Sequence, residues 1–222
     1  MNRQTLRTTI AGAAGAIELA LDRPQGPARG LALVAHPHPL HGGTLDNKVA
    51  QTLARAWVQL GFVVLRPNFR GVGASGGQFD GGRGETDDLQ QVLEHHLQVL
   101  RAELGDAPQL ALAGFSFGAY VAAALAARLR DAGRAPRHLT LVGPAVVNFA
   151  LPPLREPQAL AERLLVVHGE ADEVVPLGAV LDWARPQQQP VLVMPGAGHF
   201  FHGLLTPLKE WVTTWHGSAK SD

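Results

Sequence analysis

Residues 109–130 read QLALAGFSFGAYVAAALAARLR, and within them Gly114-Phe115-Ser116-Phe117-Gly118 joins an apolar run directly to an alanine-rich helical pattern. A serine at the apex of a strand–turn–helix junction is lifted clear of the backbone. Glycines two before and two after it let strand and helix approach closely. That is the exposure and rigidity a nucleophile needs. A serine hydroxyl is still weak at neutral pH. It requires a base to take its proton and a carboxylate to orient that base. Two later segments offer them. HGEADEVVP, residues 168–176, holds Asp172, with Glu170 as the competing acid and Glu173 reading as a solvated loop charge. PGAGH, residues 195–199, brings His199 in on a glycine-rich approach that lets the loop reach over a site. His202 falls where the last helix begins, and His168, at a strand end, reads as structural. Each residue also has a plainer reading: Ser116 as a satisfied turn serine, Asp172 as a helix cap, His199 as a loop histidine.

A second G-x-S-x-G match, Gly73–Gly77, centres on Ser75. It lies in RGVGASGGQFDGGRG, a glycine-dense loop with no helix directly behind it, so Ser116 is preferred. That loop reads as the rim of the site. It has no Lys-Ser/Thr that would make it a phosphate cradle.

The loop His36-Pro37-His38-Pro39-Leu40-His41-Gly42-Gly43 admits two readings. His36, His38 and His41 are spaced as metal ligands could be, but no aspartate stands among them. The better reading is half of an oxyanion hole. Prolines cannot donate, so the backbone N–H of His38 is the expected donor, with Leu40 next in line. The backbone N–H of Phe117 supplies the other half.

These loops need a frame. Short apolar runs at Leu31–His36, Phe62–Leu65, Gln109–Ala113, Leu139–Val142, Leu164–Val167 and Val191–Met194 read as strands buried on both faces. Helical patterns lie between them. Asn47–Leu60 is expected to follow a capping Asp46 and stop at Gly61. Glu85–Leu104 carries one apolar stripe, and Ala119–Leu129 follows the serine. A short helix after Pro176 should turn Leu177, Val180 and Leu181 inward. Residues 203–215 should bury Leu204, Leu208, Trp211, Val212 and Trp215, and the tail 217–222 should lack fixed structure. Near the N-terminus, residues 6–11 and 15–21 read as a hairpin; Glu18 and Asp22 interrupt what would otherwise suggest a short signal segment. Alternating strands and helices mean an α/β fold, a mainly parallel sheet with helices on both faces and ligands at the carboxyl ends of its strands.

At 222 residues, one domain over 1–222 is expected. Formal net charge is zero, so nothing electrostatic points to nucleic acid or an anionic membrane. The absence of cysteine excludes disulfides, thiol catalysis and thiolate metal sites, and is compatible with a cytoplasmic location.

Taken together, Gly114–Gly118, HGEADEVVP, GAGHFF and RGVGAS resemble the α/β-hydrolase superfamily. The histidine–proline loop with Asp46-Asn47-Lys48 resembles, more narrowly, small bacterial hydrolases related to dienelactone hydrolase. The resemblance covers nearly the whole chain. It implies Ser116 as nucleophile, His199 as base and Asp172 as its partner, with no cofactor and no metal. The dienelactone enzymes themselves use a cysteine nucleophile, which this chain lacks. The 143–163 connection is too short for a helical cap domain, although residues 144–162 could form a small flap through Phe149 and Leu151. The expected activity is hydrolysis of a small-molecule carboxylic ester through an acyl-enzyme. Thioesterase, lactonase or peptidase action on the same triad is the near alternative, and a non-catalytic binding protein on a hydrolase fold the distant one.

Overall fold

The computed structural model describes residues 5–155 and 158–218. The chain opens with the expected hairpin: β1 (Leu6–Gly12) and β2 (Gly15–Asp22) pair antiparallel, with Ile10 opposite Ile17. Six further strands follow: β3 (Gly30–Ala35), β4 (Phe62–Pro67), β5 (Gln109–Phe115), β6 (His138–Val142), β7 (Arg163–Gly169) and β8 (Val191–Met194). They join the hairpin in one sheet ordered β1-β2-β4-β3-β5-β6-β7-β8. β2 meets β4 antiparallel, and every pairing beyond β4 is parallel. The helices are α1 (Lys48–Gln59), α2 (Arg83–Val99), α3 (Arg101–Leu104), α4 (Phe117–Asp131), α5 (Leu177–Ala184) and α6 (Leu205–Gly217).

Alternation along the central strands divides the core. Leu31, Leu33, Leu112 and Leu139 face one way and pack with Leu89, Val92 and Leu93 of α2 and Val121, Leu125 and Leu129 of α4. Ala32, Val34, Ala111 and Ala113 face the other way and pack with Val49, Leu53 and Trp57 of α1 and Leu208 and Val212 of α6. Strands covered on both faces are why the apolar runs are continuous rather than alternating. This is the fold class expected from the sequence. Among the described residues, no helix is long and apolar enough to cross a membrane.

The structure corrects several local expectations. Asn47, not Asp46, caps α1: its Oδ1 accepts from the Val49 and Ala50 N–H groups at 2.9 and 3.2 Å. A cap must stand immediately before the first turn, and Asp46 stands one residue too early. Its carboxylate instead takes both hydrogen bonds of the Arg7 guanidinium, at 2.7 and 2.6 Å. The long helix expected over 85–104 begins at Arg83 and is interrupted at Leu100, whose φ of −95° and ψ of 10° leave the helical basin. Glu85 lies inside it and accepts from the Asp80 and Gly82 N–H groups. Leu181, Trp211 and Trp215 point outward, at 38%, 49% and 42% exposure; in α5 Ala184 is buried instead. The residues these helices turn inward are Val180 and Ala184 of α5 and Leu208, Val212 and His216 of α6. α6 runs to Gly217, the first residue of the expected unstructured tail, and residues 219–222 lie outside those described.

One buried polar pair bears on stability. His216 of α6 reaches across to β6, its Nε2 2.8 Å from Thr140 Oγ1 and its Nδ1 3.1 Å from His138 Nδ1. The Trp57 ring packs 4.7 Å from His216. Burial, reinforced by Arg137, Arg163 and Arg29, pushes His138 down to about 4. Burial, reinforced by His138 and Arg163, pushes His216 down to about 3. Both imidazoles therefore stay neutral in the folded protein through mild acid, while in the unfolded chain they protonate near 6.5. Stability from this pair is fully present above pH 6.5 and is lost as pH falls from there toward 4, because only the unfolded state takes up the protons. The urea midpoint is expected to fall between pH 7.5 and pH 5, with each of the two histidines contributing on the order of 1–2 kcal/mol. His216→Gln should show a shallower fall across the same range. Equal falls in the variant and the parent protein would refute the assignment.

Candidate active site

Ser116 sits between β5 and α4 with φ 57° and ψ −118°, a strained conformation for a non-glycine residue. Two close approaches hold it there. A Cβ on Gly114 would lie 2.1 Å from the Gly118 carbonyl oxygen, and a Cβ on Gly118 would lie 2.4 Å from those of Ala35 and His36. The Ser116 N–H donates to the Val142 carbonyl at 2.9 Å, which locks the turn against β6.

Around this turn the loops after β7 and β8 bring Asp172 and His199 together. Ser116 Oγ lies 3.1 Å from His199 Nε2, and His199 Nδ1 lies 2.7 Å from Asp172 Oδ2. All three residues are buried, with 5–8% exposure. The other Asp172 oxygen accepts from the Val174 and Val175 N–H groups at 2.9 and 2.8 Å. Burial pushes the Asp172 carboxyl up. The hydrogen bonds from His199 and Val175, together with the neighbouring imidazoles, outweigh it, so the group lies below its ordinary value and is ionised at neutral pH. Such a line of groups can pass a proton from a serine to an imidazole whose tautomer is fixed by a carboxylate.

The competing residues are occupied elsewhere. Ser75 Oγ accepts from the Glu18 N–H and donates to the Asn68 carbonyl, both at 3.0 Å. Glu170 accepts from the Gly196 N–H, tying together the loops that carry Asp172 and His199. Glu173 is exposed, and the exposed His202 ring stacks on Phe200.

The histidine–proline loop divides by residue. The His36 ring is fully buried, and both its nitrogens are engaged: Nδ1 donates to the Pro37 carbonyl at 2.7 Å and Nε2 accepts from the Phe69 N–H at 2.9 Å. Burial pushes it down to about 4, so it is neutral. With no nitrogen free, it cannot join His38 and His41 around a metal ion. His38 is half-buried, and burial followed by the nearby His41 lowers its pKa. Its Nδ1 accepts from the Leu40 N–H at 3.2 Å, so Leu40 is not a free donor. Among the described residues, the backbone N–H groups of His38 and Phe117 meet no protein acceptor. Gly118, with no Cβ, lets the start of α4 lie against the backbone of Ala35 and His36.

The phenylalanines around the site divide by exposure. Phe69, Phe115, Phe117 and Phe201 are buried, and Phe200 is 44% exposed. His38 lies 4.8 Å from Phe79, 5.0 Å from Phe117 and 6.0 Å from Phe149. Phe149 also stacks on Tyr120 at 5.0 Å. These rings come from four separate segments and make an aromatic wall beside the nucleophile turn. The wall was not foreseen, because no periodicity links its members. The connection after β6 contains no helix among its described residues, and Phe149 is how it reaches the wall.

A sequence-family model described as a thioesterase domain matches residues 64–186. A lidless α/β serine hydrolase of Xanthomonas campestris has a similar structure, with a TM-score of 0.81 and 36% identity, over 96% of this chain and 94% of that one. An α/β serine hydrolase homologue from Coxiella burnetii gives a TM-score of 0.81 and 38% identity over 99% of both chains. An uncharacterized protein of Rickettsia prowazekii is 33% identical over 203 residues, 86% of this chain and 79% of its own length.

The two unoccupied N–H groups yield a test of backbone against side chain. His38→Ala keeps the N–H and should retain ester turnover within about tenfold, whereas His38→Pro removes the donor and should cost on the order of 10²-fold in kcat. Circular dichroism checks that both variants fold. A folded alanine variant without turnover would mean that the imidazole, not the backbone, does the work.

Proposed function

From its membership of the lidless α/β serine hydrolases, the family to which this chain belongs and in which it matches the thioesterase domain, we propose that it hydrolyses carboxylic esters through an acyl-enzyme on Ser116. The reading rests on one observation: the unbroken line from Ser116 Oγ through His199 to Asp172, set beside two unoccupied backbone N–H groups. Ser116 attacks the carbonyl as His199 takes its proton. The oxyanion that forms is held by the His38 and Phe117 N–H groups. His199 then protonates the departing alcohol, and a water activated by the same imidazole releases the acid. No metal or cofactor enters this scheme.

The arrangement also orients the substrate. The leaving group must lie toward His199, which protonates it, so the acyl group lies on the opposite side, along the wall of His38, Phe79, Phe149 and Tyr120. A compact apolar or aromatic acyl group suits such a wall, since rings pack favourably at these separations. Est1E from Butyrivibrio proteoclasticus, a structure with 17% identity, is a fold relative with ferulic acid bound; it supports a small-molecule acyl substrate. The thioesterase-domain match over 64–186 favours a second reading, hydrolysis of the corresponding thioester. We place the site of action in the cytoplasm, in line with the cysteine-free composition.

A fluorophosphonate probe should label Ser116 alone, and Ser116→Ala should abolish both labelling and nearly all turnover. Mass spectrometry of the adduct checks the first claim; an adduct on Ser75 sinks the assignment, and no adduct at all sinks it and favours a binding protein. Oxygen esters should be cleaved at least as fast as thioesters with the same acyl group, measured as kcat/KM. A thioester preference of about tenfold or more would select the second reading.

A further inference from the structure

His168 stands on the penultimate position of β7, and its ring is fully buried. Its Nε2 lies 2.8 Å from the Val175 carbonyl oxygen. A carbonyl can only accept, so Nε2 carries the proton and the tautomer is fixed. The same nitrogen is 3.6 Å from Asp172 Oδ2, too far for a hydrogen bond. Nδ1 is buried with no partner. The titratable groups that act on this ring are Asp172 and His199, and burial, the largest influence, keeps it neutral.

The arrangement closes a circuit. The Val175 N–H donates to Asp172 Oδ1, and the Val175 carbonyl receives the His168 N–H. Asp172 lies on an irregular loop, while His168 lies on a strand that pairs on both sides. Of the two loop residues whose N–H groups grip the carboxylate, Val174 and Val175, the second is thus itself gripped from the sheet. A second consequence concerns Oδ2. The His168 proton is spent on Val175, so His168 does not compete with His199 for the oxygen that His199 uses.

Building on the Ser–His–Asp reading above, we propose that His168 is a positioning residue: it anchors Val175 to the sheet and so fixes the Asp172 carboxylate with Oδ2 reserved for His199. It touches neither substrate nor the reacting atoms. This goes beyond the structural part that its place at a strand end suggests, because it predicts effects on the imidazole–carboxylate bond and not on folding alone.

The test compares three variants of the full chain. His168→Gln keeps an N–H donor at about the Nε2 distance, His168→Asn is too short to reach Val175, and His168→Phe fills the space with no donor. The first readout is the low-field proton resonance of the His199–Asp172 hydrogen bond in NMR, which needs no substrate. The second is the split between kcat and KM with an activated ester. His168→Phe and His168→Asn should lose or shift the resonance and lower kcat by about 10–100-fold at nearly unchanged KM. His168→Gln should restore most of both. Folded Phe and Asn variants that keep the parent resonance and kcat would overturn the proposal. Should the Phe variant fail to fold, Gln against Asn decides: equal behaviour of the two overturns the proposal, and rescue by Gln alone supports it. A parent protein with the resonance but no turnover would refute the esterase reading and leave the resonance comparison to decide on His168. A parent protein with turnover but without the resonance overturns the His168 proposal and leaves the esterase reading standing; one with neither overturns both.

Discussion

At Gly114 and Gly118 the chain lacks the two Cβ atoms that would stand 2.1 Å from the Gly118 carbonyl oxygen and 2.4 Å from those of Ala35 and His36. Three backbone segments meet there: the end of β5, the start of α4 and the loop after β3. Any side chain at either position would collide with backbone and force the segments apart. The contact makes the turn at Ser116 sharp enough to need a positive φ, at a cost of order 1–3 kcal/mol. It also brings the histidine–proline loop within range of the first free N–H of α4. The geometry on which the proposed chemistry depends therefore follows from what two residues omit.

The loops around that contact are fastened by buried polar groups as well as by the packing of Phe69 and Phe79. Phe69 is tied to the His36 ring, and the Asn68 side chain links the Leu45 N–H to Glu18. Arg66 forks onto Asp22, and Arg70 onto Asp88, the latter pair steadying the glycine-rich rim. Each of these groups is satisfied, as burial demands. The second serine motif belongs to this scaffold: Ser75 staples β2 to the loop after β4.

Much of this was legible in the residues. The fold class followed from continuous apolar runs alternating with helical stripes, and the juxtaposition of Ser116, Asp172 and His199 from loops that all leave the same edge of the sheet. What escaped was exact register, the extent of cover, and information held by partners distant in sequence. Asp46 and Asn47 are equally good caps by type, and only the register of the first turn chooses between them. An apolar stripe reports which residues share a face but not how far cover extends, so Trp211 and Trp215 looked internal although both are exposed. His138 and His216 are 78 residues apart, and nothing local marks either as half of a pair. His168 was placed correctly at a strand end, but its grip on Val175 depends on a loop that doubles back, which no periodicity encodes.

The strand order has a consequence for how the molecule comes into being. β3 lies between β4 and β5, and β2 beyond β4, so the middle of the sheet is assembled out of sequence. A chain emerging from the ribosome can pair β2 with β4 and β4 with β3 once residue 67 is out, but β3 keeps one bare side until β5 arrives with residues 109–115. Parallel pairings of this kind close large loops and form late. β5 is also the strand that ends in Ser116, and that serine's own N–H waits for Val142 on β6. The centre of the sheet therefore closes with β5, the strained turn that ends it is locked one strand later, and a nascent chain halted between the two has the sheet's centre without the lock on its serine.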